Sequence, residues 1–536
     1  MPERRLPHRQ LTALGVYGAL AAATGFPLLA GLAVGVSGGP PAWRALWGIW
    51  WAHDSLSRGA SPLACDALRW PARVPLWLAD YDLPGTLAAV PLWFSTPLLP
   101  EVALHNLLVL ASYALVGFAT YTLCRELWGG ELAPLLSGAL AVTATHAVEF
   151  AEPSALVWPP LFFLALVRTL RRRGAAAPLF AGTALALTLW SSHPLFIASL
   201  GGAAVLILSH LKSGGIVGPL SLIRRAGLLL VTFFLFSGWV FLGVVRAAHS
   251  GPWLASEDAR RSVDALSFIA PGRSSAIGSW SPVILHGQLN SPDLYVGYLL
   301  LALAAAAAAV AKGARPWLLM ACLGFVFALG PALSVHGHVM LEGVLPYAML
   351  ERVLPSLAGA PWRYGWLIGM GLAVAAGGTL SALVRAGRRG AILACAFAAL
   401  ALAETWPLTD PVSSYPAPRF LRDLARDPER WTVLDATGPG RSSWHQILHG
   451  HPQVGGDLSP IPLELDRLLT EAPVLRSFFA EGPLPPPAVA VRVLQDLHVR
   501  FVIVDDRKLK LARTLGVPLA FEGVGIAVFE VPPKTS

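Results

Sequence analysis

VALHNLLVLASYALVGFATYTLC, residues 102–124, contains no charged side chain from end to end. As a helix rising about 1.5 Å per residue it is long enough to cross the hydrocarbon core of a bilayer, about 30 Å thick. Ten further apolar stretches flank it. They run over Leu11–Val36, Leu132–Val148, Ala155–Leu170, Ala177–Trp190, Leu195–Ser209, Leu228–Val245, Leu294–Val310, Trp317–Val335, Trp366–Leu383 and Ala391–Glu404. The sequence therefore predicts about 11 transmembrane helices, the shorter ones extending into flanking residues or sheltered by protein. The first stretch is longer than the apolar segment of a signal peptide and reads as a retained helix.

Composition agrees. Of 536 residues, 55% are hydrophobic and 13% charged, against roughly 25% charged in soluble proteins, which excludes a wholly cytosolic enzyme. The formal charge of +8 points away from nucleic acid once it is located: residues 407–536 carry 14 Lys and Arg against 15 Asp and Glu, so the excess lies in the apolar part. There it alternates. Arg125, the group Arg168, Arg171, Arg172 and Arg173, then Lys212, Arg224 and Arg225, then Lys312 and Arg315, and finally Arg385, Arg388 and Arg389 mark one set of loops as cytoplasmic. The long loops 37–101, 248–293 and 336–362 then face outward, with a cytoplasmic N-terminus and an outer tail.

The chain divides into a membrane domain, 1–406, and a tail domain, 407–536. After the Pro- and Ser-rich "PLTDPVSSYPAPRF", the tail alternates helical "FLRDLARDPER" and "AVRVLQDLHV" with strand-like "WTVLDA", "RFVIVDD", "PLAFEG" and "GIAVFEV", the pattern of an α/β domain. "PLPPP" at 483–487 is a stiff linker. Of the four cysteines, Cys124, Cys322 and Cys395 fall in apolar runs and Cys65 has no evident partner, so no disulfide framework follows.

Chemistry belongs in the polar outer loops. The first holds Trp43, Trp47, Trp50, Trp51, Trp70, Trp77 and Trp93, and indoles favour the headgroup layer. If "AWRALWGIWWAHDSL" is helical, Trp43, Trp47, Trp50 and Asp54 share a face, where a carboxylate is partly desolvated and suited to act as a base. Capping or terminating an interfacial helix is the simpler account of Asp54, and the weightier one from sequence alone. Asp66 has Arg69 as an i+3 partner. Asp80 and Asp82 in "DYDLPG" match either a metal-holding DxD or an acidic turn, and Glu149 and Glu152 in "VEFAEPSA" either a site or a helix start. Arg363 in "APWRYGW" stands at the outer end of a span, as a phosphate ligand or an interfacial anchor. His445, His449 and His451 offer an i, i+4 pair suited to zinc, against which Gly450 and Pro452 argue for a turn; His336 and His338 carry less. No P-loop, no GxGxxG after a strand and no GxSxG occurs.

With this layout, "WRALWGIWWAHDSLSRGASPL", "HNLLVLASYALVGFATYTLCRELWGG", "WPPLFFLALVRTLRRRG", "LYVGYLLLALA", "LPYAMLERVLPSLAGAPWRYGWL", "HGHPQVGGD" and "LHVRFVIVD" carry a nearly end-to-end resemblance to the bacterial multi-spanning glycosyltransferases of the GT-C superfamily. The resemblance implies an integral protein of the bacterial inner membrane with a periplasmic or extracellular tail. It implies inverting sugar transfer from a polyprenyl-phosphate donor at the outer membrane surface, with that sugar lipid and membrane lipids as partners. A first-loop acidic residue would be the base or would hold a divalent metal ion, the one cofactor left open. Relatives often read Gly-Asp-Pro before the Trp-rich helix, whereas this chain has Gly38, Gly39, Pro40 and Pro41. Asp54, Asp66, Asp80 or Asp82 would then supply the carboxylate, with Glu152 in reserve and Trp50, Trp51 and Arg363 binding substrate. Two rivals are a transporter or flippase of lipid-linked glycan, which needs ionisable mid-membrane residues where the spans offer chiefly Asn106, and an inactive scaffold.

Overall fold

The computed structural model describes residues 6–534 apart from 72, 79–80, 96–99, 147–151, 172–173, 214–218, 250–252, 255–261, 273–276, 279–293, 355–358, 408–411, 457–460, 463–466, 468–470 and 480–481. Asp80, Glu149 and most of loop 248–293 lie outside the described residues. Each of the eleven apolar stretches contains helix. Among the described residues five helices are long and apolar enough to cross a membrane, Glu101–Trp128, Ser154–Arg171, His193–Lys212, Leu220–Ala247 and Pro361–Arg385, and shorter apolar helices accompany them.

Two stretches end earlier than their hydropathy suggests. The first helix stops at Thr24 and a short one, Phe26–Ala30, restarts beyond Gly25 with Pro27 in its first turn, because proline lacks the N–H that would continue the ladder. The remaining turn reaches Val36, which pairs with Ser413 of the tail. Helix Arg315–Ala328 gives way at Gly330 and Pro331 to a hairpin of strands Ala332–Val335 and His338–Glu342.

Helix Gly365–Arg385 is the hub, buried almost continuously from Gly365 to Ser381. A Cβ on Gly369 would come 2.9 Å from the Ala144 carbonyl oxygen and one on Gly371 2.7 Å from that of Trp317. Small residues thus let three helix backbones approach, as dispersion-driven packing in lipid favours. The alanine run plays the same part, with Ala304 and Ala307 fully buried and Thr379 donating to the Leu303 carbonyl across the same interface at 2.8 Å. Asn106, the polar residue of the central span, donates to the Leu32 and Gly35 carbonyls at 2.8 and 2.9 Å. It satisfies a turn.

The tail is a strand-containing domain. Its sheet orders Thr432–Asp435, Val499–Val504, Ile526–Glu530 and Leu519–Gly523, the first pair parallel and the others antiparallel. The alternation read from the sequence is present. One face packs with Leu494, Phe478 and Leu515, the other with Leu421 and Trp431. Helix Arg441–His449 projects from this core toward the membrane domain.

Candidate active site

The Trp-rich segment is a helix, Gly39–Ser57, as its periodicity suggests. Its indoles are not spread on a lipid surface. Trp43, Trp47 and Trp51 are fully buried and Trp50 nearly so. Trp50 and Trp51 pack with Cys65, Leu68 and Leu76 of the same loop, and the tail covers the other two: Trp43 packs between Tyr415 and Trp444, ring centroids 4.8 and 5.3 Å away. Trp47 Nε1 donates to Gln446 Oε1 at 2.8 Å, and Gln446 Nε2 donates to the Ala67 carbonyl at 2.6 Å. Backbone bonds from Arg69 to Gly455, Trp70 to Gln453 and Gln453 to Ala67 complete the clamp. Trp70, Trp77 and Trp93 of the same loop remain partly exposed. Trp51 stacks on Trp47 and donates to the Pro62 carbonyl at 3.2 Å.

Asp54 stands at the far end of this helix, partly exposed, its carboxylate held by Arg58 four residues on at 2.5 Å. Asp66 is joined not to Arg69 but to Arg430 of the tail, at 2.8 Å. Asp82 is different. It is buried just ahead of helix Leu83–Ser95, where it accepts from Gly85 N at 3.2 Å. It also accepts from Ser154 N at 2.9 Å and Ser154 Oγ at 2.5 Å, and that hydroxyl lies 3.4 Å from Ser191 Oγ. Burial pushes its carboxyl above the usual range, and these bonds oppose the push without cancelling it. Gly85 is part of the cradle, since a Cβ there would meet Asp82 Oδ2 at 2.4 Å.

Two residues before Ser154, Glu152 opens the short helix Pro153–Leu156, and its Oε1 receives Arg363 Nη2 at 3.0 Å with both side chains buried. Arg363 lies in the turn Pro361–Tyr364 that begins the hub helix. The first loop, the turn at Glu152 and the end of loop 336–362 thus meet through Asp82, Ser154, Glu152 and Arg363. A small pocket lined by Trp77, Tyr81, Trp190, Ser191, Ser192 and His193 lies beside Tyr81 and Leu83, the chain neighbours of Asp82. Ser154 was not singled out from the sequence; its signal is the Glu-Pro-Ser helix start.

The histidines of "WHQILHGHP" serve the tail core. His445 Nδ1 lies 2.7 Å from Asp435 Oδ2, His449 Nδ1 accepts from His451 N at 3.0 Å, and His451 stacks on Trp431 at 3.6 Å. Burial lowers the His449 imidazole to about 3. Among the described residues no group of three or more His, Cys, Asp and Glu is placed to hold a metal ion, and Asp82 and Glu152 are occupied by hydrogen-bond donors and a guanidinium.

Two solved structures share this fold. An arabinofuranosyltransferase, AftD from Mycobacteria, superposes with a TM-score of 0.54 at 14% identity over 97% of this chain and 40% of its own. The Archaeoglobus fulgidus oligosaccharyltransferase tethered to an acceptor peptide gives 0.50 at 12% identity, over 94% of this chain and 70% of its own. No protein-family model matches the chain, and no curated protein matches it.

Proposed function

We propose that this protein is a membrane glycosyltransferase that moves a sugar from a polyprenyl-phosphate donor to an acceptor on the outer face, with a cytoplasmic N-terminus and the tail outside. The observation that carries the reading is the buried juxtaposition of Asp82, Ser154, Glu152 and Arg363 at the meeting of three loops of a GT-C fold. The fold narrows the class, and function is argued from the site. A sugar bound to a lipid phosphate must be met where polar groups can sit beside the bilayer. The acceptor hydroxyl loses its proton to the Asp82 carboxylate as its oxygen bonds to the anomeric carbon and the bond to phosphate oxygen breaks, releasing polyprenyl phosphate. A carboxyl with a raised pKa holds that proton well. Arg363, kept in place by Glu152, supplies positive charge for the departing phosphate. Asp54 and Asp66 rank behind Asp82 because exposed arginines hold them at the rim. The neighbours' names, an arabinofuranosyltransferase and an oligosaccharyltransferase, support a sugar-transferring role.

A second reading has its own observation: the bond from Gly85 N is the one a helix cap makes, and those from Ser154 tie two segments together, which suits a structural role in an inactive scaffold. Reconstitution in vesicles with a panel of polyprenyl-phosphate sugars separates the two. Sugar transfer abolished by Asp82→Asn supports the enzyme; no transfer or hydrolysis from any donor by well-folded protein supports the scaffold.

A further inference from the structure

The hairpin Ala332–Val335 and His338–Glu342 and the helix after it, Pro346–Val353, present a surface unlike the rest of the non-spanning structure. Val339, Met340, Leu341, Val344, Met349 and Val353 are each more than half exposed. Neighbouring strand residues point to opposite faces, so the exposure of Val339, Met340 and Leu341 together means that neither face of the second strand is covered. A folded protein in water seldom leaves so many large apolar side chains side by side.

The element is held in this posture. Gly337 N, at the turn, donates to Asp264 Oδ2 at 2.8 Å, and Ala332 N donates to Ser262 Oγ at 2.8 Å. Gly343 N closes the base on the Pro331 carbonyl at 2.9 Å, and Arg352 Nη2 reaches the Gly343 carbonyl at 3.2 Å. Clamped at tip and base, the apolar residues cannot turn inward.

We propose that this paddle lies in the headgroup layer of the bilayer, its apolar side chains reaching the upper acyl region. Continuity selects lipid as the occupant. The hairpin begins directly after helix Arg315–Ala328, whose Leu319 and Phe325 are themselves exposed apolar residues, so the patch extends a lipid-facing surface. Its chemistry fits as well. The hairpin carries one carboxylate, Glu342, and the helix bears Glu351 and Arg352 beside Met349 and Val353, the mixed apolar and polar pattern of interfacial segments. Tyr347, fully buried on the paddle helix, donates to the Gly359 carbonyl and packs edge-on against Tyr364, the neighbour of Arg363. The paddle thereby fixes the depth at which the hub helix begins. This inference does not depend on the catalytic reading.

The test uses the full chain in phosphatidylethanolamine and phosphatidylglycerol vesicles. With the exposed Cys322 and Cys395 replaced by Ala, nitroxides are placed by Met340→Cys and Val344→Cys, and by Val489→Cys on the tail as an exposed comparison. Collisions with oxygen should exceed those with a water-soluble nickel chelate at 340 and 344, with the order reversed at 489. Chelate access at 340 and 344 equal to that at 489 would overturn the proposal. So would protection from both reagents with spin–spin broadening, the sign of a second copy. For the unsubstituted chain, a phospholipid carrying a diazirine near its headgroup should label the peptide spanning 338–353; labelling of the spans without it would count equally against the paddle.

Discussion

Asp54 and Asp82 belong to the same loop, yet the fold gives them opposite surroundings. Asp54 ends the tryptophan helix at its exposed rim, where Arg58 and water share its charge. Asp82 is enclosed where two helices begin, and only neutral donors face it in the hydrogen bonds it makes. Exposed ion pairs contribute about 0.2–1 kcal/mol, whereas a carboxylate held in a dry cradle has its protonation controlled by the protein. On the proposed function, burial rather than proximity to the first span singles out the carboxylate that acts as base.

The largest expected effect sharpens that contrast. Asp82→Asn should lower sugar transfer by roughly 10²- to 10⁴-fold, the usual contribution of a general base, while Asp54→Asn leaves turnover within a factor of about two. The pH profile gives a second readout. Because burial raises the Asp82 pKa, the active carboxylate is lost as pH falls through a value above the ordinary Asp range of about 3.9, so wild-type rates should begin to fall at higher pH than an unperturbed Asp would allow. The same enclosure favours the protonated side chain, so Asp82 adds to stability at low pH and that contribution is lost as pH rises through the shifted value. Equal losses in both variants would erase the distinction between rim and cradle.

Next in size is the buried pair. Removing one partner of a buried ion pair costs about 3–5 kcal/mol, so Arg363→Met and Glu152→Gln should each destabilise the protein. Thermal inactivation in detergent would show the loss. If each single variant kept wild-type stability, the pair could not be what joins the turn at Glu152 to the hub helix.

Much of this architecture is legible in the sequence because lipid enforces it: apolar length marks the helices, and period-two runs mark the tail strands. What escapes is whatever depends on a distant partner. Nothing local in "AEPSA" says that Ser154 will meet Asp82, 72 positions earlier, or that Glu152 will meet Arg363, 211 positions later. The tryptophans mislead for the same reason, since the Gln446 that meets Trp47 lies 399 positions away. Gly330 and Pro331 are different, being local signals of a turn that hydropathy averaging smooths over.

The smaller tests probe the supports of the two regions. Gly85→Ala places a methyl group where the nearest atom, Asp82 Oδ2, would be 2.4 Å away, so the carboxylate must leave its cradle or the helix start must shift. A cost of about 1–3 kcal/mol follows, the usual range for overpacking, with turnover falling alongside stability if Asp82 is the base. Gly59, by contrast, has nothing within 4 Å of its Cβ position near the rim, though its φ of 69° disfavours any side chain, so the comparison there is better made with the ion pair itself.

Arg58→Gln should do least. It removes the guanidinium that holds Asp54 at 2.5 Å, but both side chains reach water, at 43% and 34% exposure, and an i,i+4 pair on a helix contributes about 0.3–0.5 kcal/mol. Salt should mimic the substitution, because the Debye length shrinks to about 3 Å at 1 M. Wild type and variant should therefore converge in thermal stability as salt rises. The same salt series should leave the Glu152–Arg363 pair, 3% and 7% exposed, almost untouched, since ions do not enter a buried contact. If Arg58→Gln instead lost as much stability or transfer as Arg363→Met, Asp54 would need its arginine for more than a surface contact, and the rim rather than the cradle would become the place to look for the base.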